Sequence, residues 1–451
     1  MAFRQIQKRL TLCMAYEDHP SASRPICKTF HFLLSNMKTD ILIIGGGSIG
    51  LNCAYYLLKS GRGVTILDSK EIPKASAAFG NAGQIVPSHI IPLAAPGVVT
   101  SALKWMLNPQ TSAFGMKIRP DAKYISWLIQ FARSCTEANL KRGIQPMQRL
   151  GQLSASNFQK LIQEENFECY YQRTGMITIF KDEKTFEAGV HEGEMLQKHG
   201  IEIEVLDKNR LHTLEPILRD DVIGGVHCTG DAFLNPSMFL KSLHERVCAM
   251  GATIFENTPV IGFEIQNGKI TKVKTETQEF EAEQIILATG AWSSMLAHDL
   301  KIKIPIQPAR GYSVSMSAPK QMPRHAFTLG DLHVAVTPFG NILRATGRLE
   351  MGEFSATPNQ TWIRRLENFM REYLALDEDV KMIDSWAGLR PVTPDGIPII
   401  GKSPLHSNLI VAAGHAMVGL TMGPATGQLV SELVNGKETT IDLNAFRLER
   451  F

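Results

Sequence analysis

The stretch Ile41-Leu42-Ile43-Ile44-Gly45-Gly46-Gly47-Ser48-Ile49-Gly50 decides the fold, because an apolar run of the buried-strand type passes directly into a G-x-G-x-x-G spacing. Gly45 allows the tight turn, Gly47 lets the backbone approach a pyrophosphate, and Gly50 lets the following helix pack closely on the strand. Leu51 to Ser60 reads as that helix, with Leu51, Ala54, Tyr55 and Leu58 at three- and four-residue steps and Gly61 and Gly63 closing it. A second strand, Val64-Thr65-Ile66-Leu67, ends in Asp68, an acid placed to accept hydrogen bonds from ribose hydroxyls. A lone glycine fingerprint is weak, but strand, helix, second strand and acid in register predict a dinucleotide site. At this point FAD and NAD are both open.

The rest of the chain narrows the class. With 451 residues, 44% hydrophobic and 20% charged, it buries a large core and is neither disordered nor fibrous. The net charge is only +3, and the five basic residues and two acids of residues 1–36 account for it, so no nucleic-acid partner is signalled. Seven scattered cysteines without a CxxC spacing favour reduced thiols in a cytoplasmic protein, and no metal site is expected. The charge-free run Ile41 to Leu58 has glycines at its centre and reads as strand, turn and helix, not as a membrane span. Residues 1–36 have no secretory signal and are set aside as a leader, either a transit segment or an extended start before Met37. Leu409-Ile-Val-Ala-Ala413 reads as a strand before a helix from Gly423 to Val434, so a second helix start is expected to face the ligand. Gln266-Asn267-Gly268-Lys269 is a hairpin turn signal.

Past Asp68 the chain reads Ser76-Ala-Ala-Phe-Gly80-Asn81-Ala82-Gly83-Gln84, then Pro92-Leu-Ala-Ala-Pro-Gly97 and Lys104-Trp105-Met106. Later come Ala288-Thr-Gly290-Ala-Trp292, Gly311-Tyr312-Ser313, Gly388-Leu-Arg390-Pro391, Thr393-Pro-Asp-Gly396, Gly414-His415-Ala-Met417 and Gly423-Pro-Ala-Thr-Gly427. In this order the segments resemble the D-amino-acid oxidase superfamily, and within it the bacterial D-amino-acid dehydrogenase group, from Met37 to Phe451. The resemblance implies an α/β architecture: a Rossmann-like FAD-binding domain (37–89, 200–300 and 385–445) interleaved with a mixed-sheet α+β substrate domain (90–199 and 301–384).

It also implies roles. FAD would be noncovalent and held by Gly45, Gly47, Ser48, Ile49, Gly50, Asp68, Ser76, Asn81, Ala82, Gly83, Gln84, Val260, Gly290, Trp292, Gly388, Gly414, His415, Gly419 and Thr421. Arg390 matches the arginine that anchors a substrate carboxylate, a task its planar fork suits. His415 is either a group that helps hold the amine neutral or a packing residue. Tyr312 and His333 are pocket candidates; a lid tyrosine of the oxidase relatives has no counterpart in Leu332 to Val336. The lysine that promotes oxygen reactivity in sarcosine-oxidase relatives is replaced by Met417-Val418-Gly419, and no cysteine lies between residues 249 and 451 to bond the flavin. The implied activity is oxidative deamination of D-amino acids by hydride transfer to flavin. Electrons would pass to quinone or another electron-transfer partner, with peripheral contact at the inner membrane. D-hydroxyproline, glycine or sarcosine oxidation, and a non-catalytic flavin-binding subunit, are the alternatives.

Overall fold

The computed structural model describes residues 36–107, 113–117 and 119–451. The leader assigned to residues 1–36 lies, but for Asn36, outside the described residues, as do the side chains of Trp105 and Met106. The fully apolar strand Ile41–Ile44 is the buried end of Met37–Ile44, which pairs in parallel with Val64–Leu67 on one side and Glu279–Leu287 on the other. Thr253–Phe255 and Leu409–Ala413 extend this parallel array at its two ends. The eight strands are completed by Ile399–Lys402 and by the hairpin Val260–Gln266 with Lys269–Thr275. That hairpin turns where expected: Asn267 and Gly268 both take positive φ, 50° and 70°, as a type I′ turn demands.

Helix Ser48–Lys59 leaves the first strand through the glycine turn and is packed by helices Pro236–Ala249 and Gly423–Val434. Two glycines of the last helix permit that approach, since a Cβ on Gly423 would come within 2.7 Å of Asn52 Nδ2 and one on Gly427 within 2.5 Å of the Asn52 carbonyl oxygen.

A second, nine-stranded mixed sheet runs from Met382–Val392 through Gln307–Ser317, Ile342–Met351, Val334–Phe339, Ala326–Leu329, Met176–Phe180 and Gly224–Cys228 to Ile203–Asp207, with Phe114–Met116 added to Ile342–Met351. One face carries Tyr312, Val314, Met316, Phe327 and Val336 and is closed by Trp362, Ile363, Leu366 and Phe369 of helix Gln360–Tyr373. The other face turns toward the first sheet. The domain boundaries read from sequence cut across this sheet: Ile203–Asp207 and Gly224–Cys228 fall after residue 200, and most of Met382–Val392 falls after 385. Short β segments with mixed patterning carry no mark of which sheet they join, so those cuts are displaced. One core joins Ile41, Leu51 and Leu429 from around the first sheet to Met176, Ala326 and Phe339 of the second, so the halves are not packed independently.

Candidate functional site

Between the two sheets a cleft of about 390 Å³ runs from the glycine turn to the end of strand Met382–Val392. Its first wall is the start of helix Ser48–Lys59. Gly47 caps that helix with no side-chain hydrogen bond, and no acid occupies the first turn, so the amide donors that every helix start leaves without intrahelical partners are uncapped. The buried Ser48 hydroxyl beside them has no hydrogen-bond partner among the described residues. A Cβ on Gly47 would meet nothing nearer than Ser76 Oγ at 3.5 Å, so the cradle is open at this point. Gly45 and Gly50 are glycines for packing: Gly45 has φ of 106° and sits against the Ala288 carbonyl, and a Cβ on Gly50 would overlap the Gly45 carbonyl oxygen. Gly50 is accordingly absent from the cleft wall.

Asp68 lines the cleft, accepting the Gly46 amide at 2.8 Å on one oxygen and the Lys70 amide at 2.9 Å on the other. Burial raises its pKa, against the lowering by those two amides. Each oxygen keeps a lone pair for a ligand hydroxyl. The cleft mouth here is formed by Lys70, whose ammonium lies 5.3 Å from the Trp292 ring centre, with exposed Met295 nearby on the wall. Gly45, Gly47, Ser48, Ile49, Asp68, Ser76, Asn81, Val260, Gly290, Trp292, Gly414, His415 and Gly419 all line this one cleft, and Arg390 joins them.

Ala82, Gly83, Gln84, Gly388 and Thr421 do not. Gly83 has φ of 67° and a Cβ there would overlap the Leu234 carbonyl oxygen; its amide is taken by Asn81 Oδ1 at 2.8 Å. The Gln84 amide donates to the Phe327 carbonyl, and Thr421 Oγ1 donates to the Gln84 carbonyl at 3.2 Å. This segment staples the loop to the walls, and of it Asn81 reaches the cleft. Gly388 is small because the Trp386 indole lies across it. The start of helix Gly423–Val434, expected at the ligand, instead packs on Asn52. Asp395 of the Thr393–Gly396 segment is a structural node, paired with Arg450 at 2.8 Å and Arg142 at 3.3 Å.

Two polar groups define the inner end. Arg390 lines the cleft with its guanidinium over Gly311, where any Cβ would overlap it, and donates through Nη1 to the Arg348 carbonyl at 2.8 Å. Burial lowers its pKa to about 10, leaving it a cation at neutral pH. It makes no ion pair among the described residues. His415 is 2% exposed and burial pulls its pKa down to about 3, so the ring is neutral. Thr426 Oγ1 gives its one proton to the Met422 carbonyl at 2.8 Å, so at the 3.0 Å contact His415 Nε2 must be the donor. Nδ1 is then an acceptor, buried and without a hydrogen-bond partner among the described residues.

The other two catalytic candidates are elsewhere. Tyr312 is fully buried on the opposite face of its strand, where its hydroxyl donates to Glu350 Oε2 at 2.5 Å, and is core. Side-chain alternation reverses the face between Gly311 and Tyr312. His333 is an exposed turn residue with φ of 51°, outside the cleft wall. Sequence reading missed Thr258 and Pro259, which follow an unmarked edge strand, and the Lys70 side of the mouth.

An uncapped helix start at an open glycine, an acid on the next strand end and an orphaned imidazole nitrogen fit a bound dinucleotide. The comparisons with known proteins agree. A family profile described as FAD dependent oxidoreductase, DAO, matches residues 40–433. The D-amino acid dehydrogenase of Allorhizobium ampelinum is 30% identical over 420 residues, covering 91% of this chain and 98% of its own. That of Granulibacter bethesdensis is 29% identical, covering 91% and 99%. Among solved structures, glycine oxidase from Geobacillus kaustophilus superposes with a TM-score of 0.73 at 22% identity, covering 92% of this chain and 100% of its own, which is a likeness of fold. Among the described residues no helix is long and apolar enough to cross a membrane.

Proposed function

The chain belongs to the DAO family of FAD-dependent oxidoreductases, and from that premise we propose that it oxidises D-amino acids to imino acids, which hydrolyse to 2-oxo acids and ammonia. FAD, when bound, supplies the hydride acceptor. The observation that carries the reading is Arg390, a desolvated guanidinium at the inner end of the cleft that forms no ion pair with a carboxylate among the described residues. An unpaired buried cation is costly, and a bidentate substrate carboxylate relieves it.

The chain's own residues then divide the work. Gly47, the uncapped turn at Ser48 and Ile49, and Asp68 hold the phosphate and ribose parts of the cofactor. Arg390 binds the α-carboxylate and so fixes the Cα–H direction. His415 stays neutral and offers Nδ1 as an acceptor to whatever donor reaches that end. With a pKa of about 3 it is too weak a base to store a proton at neutral pH. Among the described residues the cleft wall next to Arg390 offers Leu389, Pro391, Ala416 and Met417, and the lysine of the lining, Lys70, stands at the mouth, which supports transfer of electrons to quinone or a similar acceptor in place of oxygen. Such an acceptor brings the protein to a membrane surface peripherally.

The test is a panel of D- and L-amino acids, glycine, sarcosine and D-hydroxyproline with an artificial electron acceptor, run beside an oxygen electrode. D-amino acids should bleach the flavin with little oxygen uptake. Arg390→Leu should lower kcat/KM by orders of magnitude with FAD still bound. Unchanged efficiency in that variant removes the anchor, and preference for the glycine or sarcosine arm replaces the substrate class.

A further inference from the structure

Helix Ala122–Ser134 is anchored on one side and open on another. Asp121 caps its start through the Lys123 amide. Tyr124 and Trp127 are buried, Trp127 in a cluster with Ala309, Met351 and Val392, and its indole nitrogen donates to the Pro305 carbonyl at 3.1 Å. Ile125 and Ile129, one turn apart and so on one side of the helix, are each 47% exposed. Helix Val98–Leu107 adds Leu103, 58% exposed, and is tied to the same region, because it packs on strand Phe114–Met116, whose Phe114 and Met116 lie against the Trp127 cluster. A single exposed leucine is ordinary, but three large aliphatic side chains on two helices around one cluster call for an occupant.

The charge around them says which one. Seven basic residues and two acids lie between residues 98 and 145, whereas residues 37–451 taken together are neutral, so positive charge is gathered in this segment. Lys123 and Arg133 are exposed and form no ion pair among the described residues, and Arg133 follows Ile129 by one turn. Lys104, also exposed, directly follows Leu103. Aliphatic tips beside unpaired cations match a lipid surface with anionic headgroups, where the tips reach the acyl boundary and the cations meet phosphate. A protein partner is the poorer fit, since the aromatic residues that would serve as anchors for one, Tyr124 and Trp127, are turned into the core.

The position of the helix relates this surface to the cleft. Ala416 packs against the Trp127 cluster and also lines the cleft with Arg390, and Val392 of the same cluster bridges to His415. Met417, the next residue of the cleft wall, is 49% exposed. Helix Ala122–Ser134 therefore adjoins the Arg390 end of the cleft. We propose that the open side of this helix, with Leu103, docks on an anionic lipid bilayer, Leu103, Ile125 and Ile129 entering the acyl boundary and Lys123 and Arg133 meeting headgroup phosphates. Docking of this kind holds the Arg390 end of the cleft close to the lipid, in which an apolar electron acceptor dissolves. That consequence rests on the reading of the chain as a dehydrogenase that passes electrons to quinone; the docking itself does not.

The test is flotation of the full-length, FAD-loaded protein with vesicles of phosphatidylcholine containing about one-third phosphatidylglycerol, beside vesicles of phosphatidylcholine alone. The parent should bind the mixed vesicles at least about tenfold more tightly than the neutral ones. Ile125→Glu with Ile129→Glu should weaken binding to the mixed vesicles at least about tenfold, and Lys123→Glu with Arg133→Glu should do the same. Both pairs are exposed, so dye-linked oxidation of D-alanine in solution should stay within about twofold of the parent. Residues 1–36 are common to every form, so their charge cancels from the comparison. A parent that floats with neither vesicle overturns the proposal, as do variants that float as well as the parent. Self-association of the parent that Ile125→Glu with Ile129→Glu abolishes, without vesicle binding, would give the face to a second copy of the chain and overturn it too. Vesicle binding lost in the variants, by a protein that oxidises no D-amino acid, would refute the reaction and retain the docking surface.

Discussion

Replacing Gly47 by Glu separates what the glycine turn does for the ligand from what it does for the fold. Gly47 has φ of −74° and ψ of −171°, an extended conformation open to any residue. Its Cβ would have Ser76 Oγ at 3.5 Å as its nearest neighbour, an ordinary contact. The apo protein should therefore fold, and a carboxylate at a helix start should even stabilise it by about 0.3–1 kcal/mol. Bound FAD is another matter. A carboxylate about 4 Å from one pyrophosphate charge is repelled by about 4 kcal/mol at an effective dielectric of 20, which is roughly a thousandfold in affinity. The assay is the ratio of flavin to protein absorbance after purification, beside thermal denaturation of the apo forms. The expected product is colourless protein with a melting temperature at or above that of the apo parent. A variant with the parent's flavin content would refute the placement of the pyrophosphate at Gly47, and a variant that does not fold would refute the claim that the cradle is open.

Gly50→Ala makes the opposite prediction, because its Cβ would overlap the Gly45 carbonyl oxygen: stability should fall by about 1–3 kcal/mol, seen as a lower urea midpoint in the apo protein. Tyr312→Phe should keep kcat/KM within about threefold, since the ring is on the far face, while loss of the Glu350 bond costs about 1–2 kcal/mol of stability; a large loss of activity would return Tyr312 to the pocket. His415 should make the fold acid-sensitive. Its folded pKa of about 3 lies below the ordinary 6.5, so the unfolded chain binds the extra proton between those values and stability drops as pH falls through that window. The slope is at most about 1.4 kcal/mol per pH unit for one proton. His415→Gln should flatten it by that share in denaturant melts at pH 4, 5 and 6, and an unaltered slope would refute the burial argument.

Long-range order was legible wherever a local rule is strict. The strand ending at Ile44 and the helix after Gly47 follow from apolar runs and glycine spacing. The turn at Asn267-Gly268 follows from the positive φ it demands, and Leu409–Ala413 from its five consecutive apolar residues. What was not legible depends on facing and pairing. Nothing in Ile203–Asp207 tells which sheet it joins, and nothing in Gly311-Tyr312-Ser313 says that the central residue turns away from the cleft. Gly83, Gln84 and Thr421 occur in segments that reach the site, yet their groups are consumed by the walls.

The strand Leu409–Ala413 hydrogen-bonds to Glu279–Leu287, and helix Gly423–Val434 packs on the helix that follows Gly47. During synthesis, the first turn leaves the ribosome more than three hundred and fifty residues before these late pieces that shelter it. Until then the flank of its helix that Gly423–Val434 covers faces solvent, and the nascent polypeptide must be kept from aggregating without help from its yellow ligand. Capture of that ligand is consequently one of the last acts of maturation, and a ribosome stalled before codon 409 would display a chain that cannot yet be coloured.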